Sequence, residues 1–136
     1  MESLTLIARK AAMNGLKAAA GPLDTATLIL IKNAPPSIHP RMVMADIEEC
    51  DFIGYAASAG LVFGNAYQEG DDTVVLTAPS VLFTCATDAT PNTVTGWALT
   101  NAGKTILHFA KSLETPVVMN EAGDGLIVQP RVPYGS

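Results

Sequence analysis

Thr93-Val94-Thr95-Gly96-Trp97-Ala98-Leu99-Thr100, followed by Asn101-Ala102-Gly103-Lys104 and Thr105-Ile106-Leu107-His108-Phe109-Ala110, is the stretch that decides the fold. Over residues 93–100, Thr95, Trp97 and Leu99 fall on one face and Val94, Gly96 and Ala98 on the other. That period of two belongs to a β-strand. The glycine-containing run 101–104 has the composition of a short hairpin loop. Residues 105–110 then return, with Leu107 and Phe109 opposite Ile106 and His108. Trp97 shares its face with Thr95 and Leu99, so it reads as core rather than as a sugar-stacking platform.

The same texture extends to both sides. Val74-Val75-Leu76-Thr77 and Val81-Leu82-Phe83-Thr84-Cys85 read as strands, with Pro79-Ser80 between them as a tight turn or a switch of sheets. Residues 116–119 and 126–132 read as two more strands around the turn Glu121-Ala122-Gly123-Asp124-Gly125. Earlier, Thr27-Leu28-Ile29-Leu30-Ile31-Lys32 is a β-branched apolar run, ended by a proline-containing loop that extends through Pro40. Asp51-Phe52-Ile53-Gly54-Tyr55 reads as a short irregular strand or turn that anchors two aromatics, 45–49 as a polar connection, and 56–69 is left unassigned. Strands of about six residues at about ten-residue spacing predict an antiparallel β-sandwich, jelly-roll-like, over 23–136.

Residues 3–20 predict the one helix, capped by Ser3 and stopped by Gly21-Pro22. Leu4, Ile7, Ala8, Ala11 and Leu16 fall near one face at helical spacing. The stripe is narrow and made mostly of small side chains. It fits an N-terminal helix or arm, residues 1–22, laid on another surface, and equally a helix folded back on its own domain.

Composition sets the classes of function. The chain has 136 residues, enough to bury about two-thirds of its unfolded surface without a disulfide or metal. Apolar residues are 49% and charged residues 15%, against the pattern of disorder. Mean hydropathy is +0.28, so part of the surface is expected to be covered by another chain. A net charge of −5 and a pI near 4.8 disfavour a nucleic-acid binder. No apolar run reaches the length of a membrane span. Glu2 precedes the first apolar stretch while Arg9, Lys10 and Lys17 follow or interrupt it, the reverse of an export signal. Cys50 and Cys85 lack metal or redox spacing and are expected to be reduced, buried and inert.

Catalytic patterns are sparse. There is no Gly-x-Ser-x-Gly, P-loop or Gly-x-Gly-x-x-Gly. The histidines are two: His108 is expected as a hydrogen-bonded strand residue, and His39 marks a proline-flanked loop. Glu48, Glu49 and Asp51 form one acidic cluster, and Asp71-Asp72 another. A hydrolase would need two such carboxylates across one cleft, but on an acidic protein the plain reading is solvated loops. The 121–125 segment lacks the alternating acids of a calcium loop and reads as a turn. No cofactor, metal or catalytic residue is expected.

Thr90-Pro91-Asn92-Thr93-Val94-Thr95-Gly96-Trp97-Ala98-Leu99-Thr100 with Gly103-Lys104-Thr105-Ile106-Leu107 resembles a "TPNTVxGYxVT(D/N)xxGxxLL" stretch. That stretch occurs in small structural proteins encoded beside the coat-protein genes of tailed bacteriophages. The resemblance continues through Phe109-Ala110-Lys111 and Glu114-Thr115-Pro116-Val117-Val118-Met119. It ends with Gly123-Asp124-Gly125-Leu126-Ile127-Val128-Gln129-Pro130, similar to the family's "GDxLxVxPxF". Upstream, Ala45-Asp46 with Phe52-Ile53-Gly54-Tyr55-Ala56 resembles "ADFxxxxFxGYA", and Leu28-Ile29-Leu30-Ile31-Lys32-Asn33 its first strand. The resemblance covers about 28–132 and is dense after residue 80, while Val132-Pro133-Tyr134-Gly135-Ser136 departs from the usual apolar finish.

The resemblance implies a non-enzymatic virion protein, a capsid decoration or cement protein made in the host cytoplasm and bound outside the major capsid protein shell. A head-fibre, tail or receptor-binding component is the alternative. The implied partners are the major capsid protein and copies of itself, as a homotrimer or homodimer, with no nucleic acid and no membrane. The N-terminal helix and the loop 33–41 are the expected contacts, through Leu4, Ile7, Ala11, Pro35, Pro36, His39 and Arg41.

Overall fold

The computed structural model describes residues 4–18, 23–33, 42–69, 73–86 and 92–134. The helix α1 spans Leu4–Lys17 and packs against strands β2, Tyr67–Glu69, and β3, Thr73–Thr77. Met13 is buried in the main core, with Leu6 and Leu16 packed beside it. Asn14 Oδ1 accepts the Ala66 N–H at 2.7 Å, which ties the helix to the chain entering β2. The helix therefore folds back on its own domain. Of the expected stripe, Leu16 turns inward, whereas Ala8 and Ala11 are exposed and Ile7 is 49% exposed. The reason is reach: the long side chains of Leu6, Met13 and Leu16 fill the gap to the sheet, and alanines cannot.

Among the described residues the β-structure is antiparallel throughout, in three small sheets. The first has the order β1-β5-β6, from Thr27–Ile31, Asn92–Thr100 and Leu107–Met119. Leu28 lies opposite Leu99, and Leu30 opposite Trp97. The second has the order β2-β3-β8, closed by Arg131–Tyr134. The third pairs β4, Val81–Thr84, with β7, Gly125–Val128. Leu28, Leu30, Trp97 and Leu99 of the first sheet meet Val74 and Leu76 of the second and Phe83 and Val128 of the third in one core. Layers facing each other across a shared apolar core make this a mainly β, sandwich-like fold with an N-terminal helix.

The first sheet is buried on its other face as well. Ile29, Ile31 and Ala98 form a second cluster, covered by Met44, Ile47 and Ala57. The chain from 42 to 58, including a 3-10 turn at Met44–Asp46, supplies this cover and also pairs the open side of β1. Lys32 N–H donates to Glu48 O, Cys50 N–H to Leu30 O, and Leu28 and Ser58 exchange both bonds. This irregular chain takes the place of a fourth strand. Its pattern is illegible as a strand because it touches β1 only at separated points.

Two proline positions re-divide the expected strands. Residues 126–132 are two strands, β7 and β8, because Pro130 brings no N–H to a ladder. Opposite it, Pro79-Ser80 is the switch of sheets rather than a tight turn: β3 and β4 lie in different sheets. The Ala78 N–H donates to Pro130 O at 3.1 Å, so the two breaks face each other and one long ribbon bends there. Conversely, the expected strands 105–110 and 116–119 are parts of the single strand β6, which begins at Leu107 and leaves Thr105 and Ile106 in the turn. Val94 faces Val117 and Gly96 faces Ser112, so residues 113–116 bulge opposite Thr95 alone, and Pro116 is accommodated in the bulge. Val94 sits beyond this shift and joins Trp97 and Leu99 in the main core instead of lying opposite them.

The expected turn at 101–104 joins β5 to β6, but its left-handed residue is Lys104 rather than Gly103, and β6 starts only at Leu107. Lys104 adopts φ +54° and donates its N–H to Asn101 O, while Asn101 Oδ1 accepts the Thr105 and Ile106 N–H groups.

Candidate partner-binding surface

Several polar groups inside the fold hold it together. Asn92 Oδ1 accepts the N–H groups of Asp51 and Phe52, at 2.6 and 2.9 Å. Asn33 donates to Asp46 O and accepts from Glu48 N–H, both at 2.7 Å, and Thr95 donates its hydroxyl to Asn33 O. These two amides pin the irregular chain to β1 and β5. The Tyr55 hydroxyl donates to Glu49 and accepts the Leu30 N–H; burial and the neighbouring carboxylate push its pKa up. Lys104 Nζ reaches the same Glu49 at 3.1 Å. Lys32 pairs with Asp51 at 3.1 Å, and Asn92 and Lys32 together hold the Asp51 carboxyl below its ordinary range.

The acidic cluster of Glu48, Glu49 and Asp51 is thus partly bridged to lysines, with no facing carboxylate pair among these contacts. Asp71 and Asp72 lie outside the described residues. In the 121–125 turn, Asp124 Oδ2 accepts the Asn120 and Glu121 N–H groups, a carboxylate capping its own turn. Among the described residues no three His, Cys, Asp or Glu side chains gather as a metal would require. Cys50 and Cys85 are both free and buried, and burial pushes the Cys50 thiol up to about 12. His108 is half-buried on β6, its pKa lowered by burial. It borders a recess of about 250 Å³ with Leu16, Leu23, Phe109 and Val132. Trp97 is buried, its ring centre 5.5 Å from that of Phe109.

Phe52 meets Tyr55 edge to face and Tyr55 stacks on Phe83, centroids 5.4 and 6.0 Å apart. The turn that allows this needs a glycine. Gly54 has φ +97°, and a Cβ there would lie 2.7 Å from Thr84 O and 2.9 Å from Ala86 Cβ. The 52–55 turn consequently presses on the outer side of β4, where Ala86 N–H also donates to Ile53 O.

The surface is more informative than the interior. Among the described residues, the three most exposed large apolar side chains are Val62 (73%), Ile127 (67%) and Leu82 (63%). Leu82 and Ile127 are direct partners in the β4–β7 pairing and share its outer face. Val62 lines a recess of about 370 Å³ with Gly64, Thr77, Pro79 and Gln129, at the bend where the ribbon passes from one sheet to the other. Gln129 is the first residue past the end of β7, so the recess lies at the end of that strand pair. No charged side chain lines the recess or lies within β4 and β7.

Of the contact residues expected from sequence, Ile7 and Ala11 are exposed on the outer side of α1, and Leu4 opens that helix. Pro35, Pro36, His39 and Arg41 lie outside the described residues. The apolar corner was missed by sequence reasoning, although Leu82 and Ile127 both stand at the outward positions of alternating strands. No helix among the described residues is long and apolar enough to cross a membrane. Comparison with protein-family models, with curated proteins and with solved structures finds no match.

Proposed function

We propose that this chain is a non-enzymatic virion structural protein of a tailed phage, a decoration or cement protein bound on the outside of the capsid shell. The observation that carries the reading is the pairing of two of the most exposed apolar side chains, Leu82 and Ile127, on the outer face of strands that hold no charge, in a protein whose net charge is −5. A contiguous apolar patch on an otherwise polar surface marks a site of association. Support also comes from the resemblance, which covers about 28–132, is dense after residue 80 and includes Ile127 of β7. The buried polar groups serve as structural ties, as a binding scaffold requires. In this reading Leu4 at the start of α1, Ile7 and Ala11 on its outer side, the expected contacts Pro35, Pro36, His39 and Arg41, and copies of the chain in a dimer or trimer add further contacts. Several weak contacts repeated across a lattice give strong attachment.

The test mixes purified protein with empty shells of the cognate coat protein that lack it. The expected result is co-sedimentation with a raised shell melting temperature. Absence of both effects refutes the reading. In virions, labelled protein seen only at the tail by electron microscopy would assign it to the tail instead.

A further inference from the structure

A sheet edge leaves a row of N–H and C=O groups open to another chain, and proteins guard such edges with charge, proline, bulges or cover. Here most are guarded. β6 carries Lys111, Glu114 and Pro116 and bulges over 113–116. β8 contains Arg131 and Pro133, and β2 is three residues long and ends in Glu69. The open side of β1 is paired by the 48–58 chain, and that of β4 is pressed by the Gly54 turn. β7 differs: Gly-Leu-Ile-Val has neither charge nor proline, and among the described residues no strand pairs with its far side.

The direction of its backbone groups follows from the pairing. Cys85 donates its N–H to Asp124 O and accepts from Gly123 N–H, so its backbone groups turn toward the β7 side. By alternation Phe83 and Val81 do the same, and their partners Leu126 and Val128 turn theirs back toward β4. Gly125 and Ile127 therefore direct N–H and C=O outward. The exposed Ile127 and Leu82 side chains lie beside that edge, and the recess at Pro79 and Gln129 lies at its end.

We propose that the outer edge of β7 takes an extended, uncharged segment of the coat subunit as a third strand, its apolar side chains settling over Ile127 and Leu82. This rests on the decoration reading above. No charged side chain lies within β4, β7 or the recess, which favours an uncharged segment along that edge. A second copy fits less well. A stable protein pair buries about 800 Å² on each side, which a four-residue edge with two apolar side chains does not approach. A shell repeats the same small contact at neighbouring positions, where copies of this chain joined as a dimer or trimer engage several at once and the contacts add.

The experiment compares wild type, Ile127→Lys, Ile127→Thr and the distant control Val43→Lys for binding to empty cognate shells, with thermal melting of each free protein. Threonine keeps strand propensity while removing the apolar contact, so it remains informative if lysine disturbs the fold. Expected are unchanged melting and shell binding at least about tenfold weaker for both Ile127 variants, with Val43→Lys like wild type. In hydrogen exchange, residues 125–129 of the wild type gain protection on the shell. If wild type binds while the Ile127 variants bind equally well, or 125–129 gains no protection, the β7 site is wrong and the decoration reading stands. If wild type does not bind, both fall.

Discussion

Replacing Gly54 with alanine tests whether the 52–55 turn is as tightly constrained as its geometry indicates. Two costs arise together. A left-handed φ of +97° penalises any L side chain by about 1–2 kcal/mol. The new Cβ would also stand 2.7 Å from Thr84 O, a backbone atom that can move only by displacing β4; overpacking of this kind costs about 1–3 kcal/mol. The sum is about 2–5 kcal/mol, a large part of the 5–15 kcal/mol typical of a domain. At about 3–5 °C per kcal/mol for this size, Gly54→Ala lowers Tm by about 6–25 °C. Two further glycines separate the terms. Gly60 has φ +70° with nothing within 4 Å of its Cβ position, so Gly60→Ala bears the backbone cost alone. Gly15 lies in α1 with open space around it, and Gly15→Ala stabilises by up to about 1 kcal/mol. Urea unfolding of the three variants gives the order Gly54→Ala, Gly60→Ala, wild type, Gly15→Ala from least to most stable. Equal losses at Gly54 and Gly60 would refute the close approach to β4.

Asn92→Ala leaves the Asp51 and Phe52 N–H groups without their acceptor and costs about 2–4 kcal/mol in the same urea assay; a loss under 1 kcal/mol would mean the amide is dispensable. Thr27→Val removes a buried hydroxyl that has no partner among the described residues and raises stability by about 1 kcal/mol; a loss would show the hydroxyl is satisfied. His108 has a folded pKa below 6.5, so the unfolded chain binds more protons there. Stability is then unaffected by this group above about pH 6.5 and falls as pH drops through 6.5 toward the folded value. His108→Gln flattens that slope, and an unchanged slope contradicts the assignment. Cys50, with its thiol at about 12, resists iodoacetamide at pH 8 in the folded protein and reacts in urea; rapid native alkylation would show the site opens.

The strands were legible wherever one rule acted alone. Residues 93–100 alternate, the 27–31 run is β-branched and apolar, and the 101–104 turn carries its own glycine. Legibility failed where distant chain intervened. Nothing near residue 130 says that its carbonyl will receive the Ala78 N–H, and so that two strands begin where one was read. The cover at 42–58 is held by the amides of Asn33 and Asn92, whose partners lie 13 to 41 residues away. On α1 the expected stripe shares, among the described side chains, only Leu16 with the buried face: Ile7, Ala8 and Ala11 are exposed, and Leu6 and Met13 face the core because the longer side chains decide which face is buried. The candidate site was hidden for a related reason: an exposed leucine is unremarkable alone, and only the β4–β7 register sets Leu82 beside Ile127.

The irregular cover over β1 has a consequence for how the chain comes off the ribosome. β1 is Thr-Leu-Ile-Leu-Ile, fully buried in the finished fold, and its ladder partner β5 begins some sixty residues later. Until β5 emerges, such an uncharged apolar segment is an aggregation hazard. The 48–58 chain follows it by fewer than thirty residues and donates and accepts along the side of β1 that β5 never uses. Synthesis from the N-terminus therefore delivers a local escort first and the permanent partner later, so the most vulnerable strand waits for its sheet with one side already occupied.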